Sequence, residues 1–168
     1  MKDLLEQTKE LCCLYNIKPA RSKGQNFLIE EKIYDDIAAA AELKTDDAVL
    51  EVGPGLGFLT SKLAKIAGRV IAVELDDKLA EILRTGIIAQ GINNVEVINE
   101  NVLDFKLRPP LAKGGFKIVA NLPYNITSIF LRKFLSETDI KPELMVLMLQ
   151  KEVAERICAS PREIPTFG

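Results

Sequence analysis

Apolar positions change their period once along this chain, and the change separates two regions. Leu4, Leu11, Leu14 and Tyr15 fall on one face of a short helix, which Pro19 is expected to stop. Ile29, Ile33, Ile37 and Ala41 then recur at helical spacing and predict a second helix ending near Lys44. From Ala48 onward, short apolar runs alternate with amphipathic stretches. Runs at 48–52, 69–74, 95–99, 117–121 and 144–149 are rich in Val, Ile, Leu or Met and read as strands. Stretches 58–66, 77–89, 128–135 and 151–159 read as helices between and after them. Continuously apolar strands are buried on both faces, and helical crossovers join parallel neighbours. The expectation is therefore a doubly wound, mostly parallel α/β sheet behind a helical N-terminal extension. Ligands of such sheets sit beyond the carboxyl ends of the strands, near the point where strand order reverses.

The residues just after each strand are accordingly the ones to inspect. The first strand runs into Glu51-Val52-Gly53-Pro54-Gly55-Leu56-Gly57 and then a helix. A glycine turn there allows a ligand close to the backbone and is expected to supply free amides at a helix N-terminus. The second strand ends in Val73-Glu74-Leu75-Asp76, where an acidic side chain can accept both ribose hydroxyls of a nucleoside. Together the two features favour an adenosine-containing cofactor. Pro54 removes an amide that a pyrophosphate would use, and Glu51 adds negative charge that repels phosphate but suits a sulfonium and an amino group. This chemistry favours S-adenosylmethionine over a nicotinamide dinucleotide.

The fourth strand leads into Asn121-Leu122-Pro123-Tyr124, followed by Asn125-Ile126-Thr127. An adenine amine is a poor nucleophile because its lone pair is delocalised into the ring. Acceptors placed around the NH₂ group favour a pyramidal nitrogen and absorb positive charge as a methyl group arrives. The Asn121 side-chain oxygen and the Leu122 carbonyl are suitable acceptors, Pro123 stiffens the turn, and the Tyr124 ring can stack on the base. Phe130 is a weaker candidate for a second ring near the base, since a helix phenylalanine is more often core.

Composition narrows the chemistry further. These 168 residues contain no histidine, which leaves carboxylates, amides, hydroxyls or a bound cofactor to carry a reaction. A net charge of -2 exerts no global pull on nucleic acid, so RNA contact must be local. Lys18, Arg21 and Lys23 lie close together after the first helix. Cys12, Cys13 and Cys158 show no metal-binding spacing and read as reduced thiols, and no metal is expected. Apolar runs are too short to cross a bilayer, and the start of the chain lacks a signal-peptide core, so a cytoplasmic protein is expected.

The segments Gly24–Leu28 (GQNFL), 49–59, 73–76, 101–105, 121–127 and 149–153 resemble the ribosomal RNA adenine dimethyltransferases of the KsgA type. The resemblance implies a Rossmann-like class I methyltransferase using S-adenosylmethionine. It implies two methyl transfers to each of two adjacent adenines near the 3′ end of small-subunit ribosomal RNA, within a preassembled subunit, by a monomer. It assigns Asn26 and Leu28 to closing over the cofactor, Gly53 to its methionine part, Gly55 to the cofactor site, Glu74 to its ribose and Asn101 to its adenine. Asn121 lies between cofactor and target amine, Leu122, Pro123 and Tyr124 shape the base site, and Lys18, Arg21 and Lys23 touch RNA phosphates. The family usually has aspartate where Asn101 stands. An amide carbonyl can still accept there, but without the charge-assisted part, which implies cofactor binding weaker by about 1 kcal/mol. Residues 1–44 form the helical extension and 45–168 an incomplete cofactor domain. The family continues with further strands and a helical domain, so the sequence reads as a fragment. Alternatives are an Erm-type large-subunit enzyme, a DNA adenine methyltransferase (less suited, given Leu122), a nicotinamide-dependent oxidoreductase and a non-catalytic RNA-binding or transcription-factor relative.

Overall fold

The computed structural model describes residues 2–18, 27–113 and 115–159, with side chains for all of these except Ala112 and Tyr124. Five strands form one sheet: β1 (Ala48–Val52), β2 (Arg69–Glu74), β3 (Val95–Asn99), β4 (Phe116–Asn121) and β5 (Leu144–Met148). Their order is β3-β2-β1-β4-β5, and every neighbouring pair is parallel. The doubly wound expectation holds, and strand order reverses between β1 and β4. The helices are α1 (Leu4–Leu14), α2 (Glu31–Ala40), α3 (Phe58–Ala64), α4 (Asp77–Ala89), α5 (Thr127–Arg132) and α6 (Lys151–Cys158).

Alternation along the strands divides the core into two layers. Leu50, Val52, Ile71, Val73, Ile118 and Ala120 face a cluster closed by Phe105, Phe130 and Phe134. Val49, Val70 and Val119 face Leu59, Leu63, Ala38 and Ala41 on the opposite side, beneath α2 and α3. Glu51 follows the alternation of Val49 and so carries a carboxyl group into this second layer. Registration does the rest. Val52 lies opposite both Val73 and Ala120, so Gly53, Glu74 and Asn121 leave the sheet side by side.

The helix boundaries differ from the expectation chiefly in three places. The first helix ends at Leu14 through Asn16, whose φ of 47° places it in the left-handed region that asparagine tolerates. Pro19, the expected stop, lies outside the described residues. The second helix is shorter than its apolar spacing suggests and ends where Glu42 turns left-handed, at φ 46°. The stretch read as one helix over 128–135 is α5 followed by a five-residue π-helical turn, Lys133–Glu137. Side-chain period alone cannot separate these, because both put Phe130 and Phe134 on one face; the two fully buried rings lie 4.7 Å apart.

Candidate functional site

The glycine turn after β1 differs from a phosphate cradle. Gly53, Gly55 and Gly57 all have positive φ, of 69°, 58° and 84°. At Gly53 a Cβ would lie 3.3 Å from the Asn121 carbonyl oxygen, so a side chain there would wedge β1 from β4. The amides of the three glycines are engaged. Gly53 N donates to Val73 O at 3.0 Å and Gly57 N to Pro54 O at 3.0 Å, while Gly55 N donates to Glu74 Oε2 at 3.1 Å. With these three amides committed and Pro54 lacking one, the turn offers little to a pyrophosphate.

Glu74 is almost fully buried at the end of β2. Its Oε2 accepts from Gly55 and its Oε1 from Asp76 N at 3.0 Å. Each carboxylate oxygen has a second acceptor direction, so both can still take a hydroxyl. Burial raises its pKa, against the lowering effect of those amide bonds.

Glu51 is the anomaly of the molecule. It is 1 % exposed, and neither carboxyl oxygen has a hydrogen-bond partner. Burial pushes its pKa to about 8, with the Glu74 carboxylate adding to the rise. The Thr60 hydroxyl lies close enough to favour the ionised form but falls short of hydrogen-bond geometry. Tyr34, whose hydroxyl donates to Leu28 O at 3.2 Å, is pushed to about 12 by burial and by Glu51. An isolated buried carboxylate is costly unless something positive pairs with it.

Two cavities meet at Gly53. One, of about 90 Å³, is lined by Phe27, Leu28, Tyr34, Glu51, Gly55 and Asn121 among others. The larger, of about 370 Å³, is lined by Glu74, Asp76, Asn101, Leu103, Pro123 and Asn125 among others. The larger alone is within the usual range of small-molecule sites, about 300–1,000 Å³. Val52, Gly53, Glu74 and Pro123 border both, which makes one bipartite cleft across the β1–β4 switch point. Glu51 serves the narrow end and Glu74 the junction.

Asn101 lines the wide end, but its side-chain oxygen accepts from Leu103 N at 3.0 Å. One acceptor direction of that oxygen remains for a ligand such as an adenine amine. Asn121 is half-buried at the end of β4, and Leu122 turns its side chain into the core while the chain passes on to Pro123 in extended conformation. A 3-10 turn, Tyr124–Ile126, then leads into α5; the Tyr124 ring lies outside the described residues. Asn26, Arg21 and Lys23 also lie outside them, and Lys18 is exposed at their edge. Phe130 is corrected: it is fully buried against Phe134 and belongs to the core. Among the described residues no group of three His, Cys, Asp or Glu could hold a metal ion, and no helix is long and apolar enough to cross a membrane. Tyr34 was not singled out by the sequence pattern, because an exposed helix tyrosine has the same period as one closing a cleft.

Comparison with known proteins shows the family of this chain. The model of the family described as Ribosomal RNA adenine dimethylase matches residues 17–164. A Dehalococcoides mccartyi protein named Ribosomal RNA small subunit methyltransferase A is 49% identical over 159 residues, 93% of this chain and 53% of the relative. The chain thus spans about half the length of the curated relatives it matches. A dimethyladenosine transferase from Plasmodium falciparum superposes with a TM-score of 0.72 at 34% identity, covering 80% of this chain and 47% of that one. The 23S rRNA methyltransferase ErmE gives a TM-score of 0.69 at 37% identity, covering 77% and 50%.

Proposed function

The chain belongs to the ribosomal RNA adenine dimethylase family, and from that premise we propose that its cleft takes S-adenosylmethionine for methylation of adenine in small-subunit ribosomal RNA. The whole protein would place two methyl groups on the exocyclic amine of each of two adjacent adenines near the RNA 3′ end. The observation that carries the reading is the unpartnered, buried Glu51 on one side of Gly53 with Asn121 on the other. A cleft with committed amides and a lone carboxylate suits a cationic, phosphate-free cofactor.

The cofactor, when bound, supplies a methyl group made electrophilic by its sulfonium. The chain's residues do the rest. Glu74 accepts the ribose hydroxyls through the acceptor directions its amide partners leave open. Glu51 balances the positive charge of the amino-acid end, and Gly53 lets that end lie against the seam between β1 and β4. Leu28, with Asn26 before it, closes the narrow side, Gly55 borders it, and Asn101 borders the adenine end. The Asn121 side-chain oxygen and the Leu122 carbonyl accept from the target NH₂, holding its lone pair toward the methyl group. Pro123 fixes the direction of that carbonyl, and Tyr124 stacks on the flipped base. No strong base is required, because the alkylated amine loses its proton readily. Lys18, Arg21 and Lys23 contact RNA phosphates. The protein acts as a cytoplasmic monomer on the assembled small subunit.

Calorimetric titration with S-adenosylmethionine, with NAD as a control, tests the cofactor. Methyl transfer to small subunits by the full-length protein tests the reaction. Asn121→Ala is expected to lower kcat about a hundredfold with little change in cofactor affinity. Heat from NAD alone would point to an oxidoreductase. Transfer confined to large-subunit RNA would favour the Erm-type reading, which the ErmE likeness keeps in play. Cofactor binding without transfer by the complete protein would make the chain a non-catalytic relative.

A further inference from the structure

Lysines in a protein that meets RNA invite assignment to phosphates, but Lys133 is engaged inside the fold. It opens the π-helical turn Lys133–Glu137, which continues α5 and, through the 3-10 turn, the segment that begins at Asn121. Its Nζ donates to Val102 O at 3.0 Å, Leu103 O at 2.7 Å and Phe105 O at 2.6 Å. An ammonium group has three donors, and here all three converge on one loop.

That loop is the one that follows β3 and borders the wide end of the cleft. Its own bonds shape it into a tight turn: Asn101 O accepts from Asp104 N at 2.9 Å and Phe105 N at 3.1 Å, and Asn101 Oδ1 accepts from Leu103 N. A turn of this kind leaves successive carbonyls pointing the same way, like the end of a helix, where a cation is favoured. Asp104, Glu100 and Glu137 lie near the ammonium and favour its charge, while partial burial lowers its pKa. The Phe134 ring centroid lies 5.7 Å from Nζ on the side toward the core.

We propose that Lys133 is a positioning residue: by closing on the carbonyls of Val102, Leu103 and Phe105 it fixes the Asn101–Phe105 loop against the helix that grows from the Asn121–Tyr124 turn, and so holds the adenosine end of the cleft in register with the methyl-transfer end. The proposal rests on the cofactor reading given above. It also separates two roles within one chain segment, because Asn121 meets the reacting atoms whereas Lys133 acts only through the loop. An interaction that shapes the cofactor site equally in ground and transition states affects KM and leaves kcat nearly intact.

The test uses Lys133→Met, which keeps the stem and removes the donors, beside Val70→Ala, a core trim in the opposite layer of the sheet. Lys133→Met is expected to weaken S-adenosylmethionine binding about tenfold and to speed amide exchange at Leu103, Asp104 and Phe105. At saturating cofactor, methyl transfer by the full-length variant should stay near the unsubstituted rate. Val70→Ala should lower Tm and leave both loop exchange and affinity unchanged. The proposal is overturned if Lys133→Met leaves loop exchange unchanged, or if Val70→Ala loses as much affinity at equal Tm. Should Lys133→Met not fold, Lys133→Gln, which keeps part of the donor set, is read by the same criteria. If the unsubstituted chain itself binds no S-adenosylmethionine, the cofactor reading fails, and the exchange comparison still decides whether Lys133 holds the loop.

Discussion

Buried charge appears at both ends of the sheet, and the two ends treat it in opposite ways. At the amino ends of the strands, Lys117 of β4 is 7 % exposed, yet its Nζ meets Asp47 Oδ2 at 2.9 Å and Glu42 O at 2.6 Å. Asp47 in turn accepts from Lys44 N at 2.7 Å. Burial works against ionisation of Asp47, but Lys117 and the Lys44 amide outweigh it and hold its carboxyl below the usual range. At the carboxyl ends, Glu74 is satisfied only by backbone amides and Glu51 by nothing. The paired end has no charge left to offer and serves the fold. The unpaired end holds ionisable carboxyl groups in reserve for something that arrives later. A protein that tolerates such a group uses it, since an apolar residue in its place would pack at less cost.

The sharpest way to break this contrast is to unpair the satisfied end. Lys117→Met strands Asp47 and should lower stability by about 4 kcal/mol. Denaturant unfolding at neutral pH would show it, and cofactor affinity of the folded fraction should be unchanged. A loss of affinity instead would mean that the two ends are not independent.

Glu51 gives the next largest effect, and its sign follows from the proton count. Its folded pKa, near 8, lies above the unfolded value of about 4.5, so between these the native state holds a proton that the unfolded state does not. Stability of the ligand-free protein should therefore fall as pH rises from about 4.5 to 8, by on the order of 3 kcal/mol from this group. Glu51→Gln should abolish that slope in Tm measured across the window, while weakening cofactor binding above pH 8. Tyr34, Thr60 and Glu74, the groups that face it, contribute no cation to cancel the effect. An unchanged slope would show that Glu51 is already neutralised by other means.

Glu74→Ala should weaken S-adenosylmethionine binding by about 2 kcal/mol, read by calorimetry, since it removes charged acceptors from both ribose hydroxyls. It also frees the Gly55 and Asp76 amides, so a gain in NAD or phosphate binding would sharpen the point that those amides are held back in the native turn. The smallest effect belongs to Asn101→Asp. Aspartate can accept from Leu103 N with one oxygen and from the cofactor's adenine amine with the other, and should tighten cofactor binding by about 1 kcal/mol. Weaker binding in that variant would place the Asn101 amide on an acceptor of the adenine ring.

Strand identity was readable because continuously apolar runs have few other places to go. The strand assignments at 48–52, 69–74 and 95–99 match β1, β2 and β3 to the residue, and the ends of β4 and β5 differ by one. Helix ends were less legible. Asn16 and Glu42 stop α1 and α2 by turning left-handed, which asparagine tolerates but which no residue type marks at Glu42. Around the cleft, the pattern pointed to Gly53, Glu74 and Asn121 because chemistry at strand ends is local in sequence. It could not show that the amides of the three glycines are engaged, that the Asn101 side-chain oxygen accepts from Leu103 N, or that Phe130 is fully buried against Phe134.

The sequence by itself determined the alternation of apolar strands and amphipathic helices, hence a parallel sheet with its site beyond the strand ends, and it named the residues able to do adenine chemistry there. Those properties follow from side-chain period and functional-group type, which need only neighbours along the chain. The tertiary structure alone decided which atoms are left over. That Glu51 is unpartnered, that Lys133 is drawn across to three carbonyls 28 to 31 residues earlier in the chain, and that Gly53 must stay clear of Asn121 all depend on distances across the sheet. Hydrogen bonds and burial are properties of pairs brought together by folding, and no spacing along the chain specifies which pair will form.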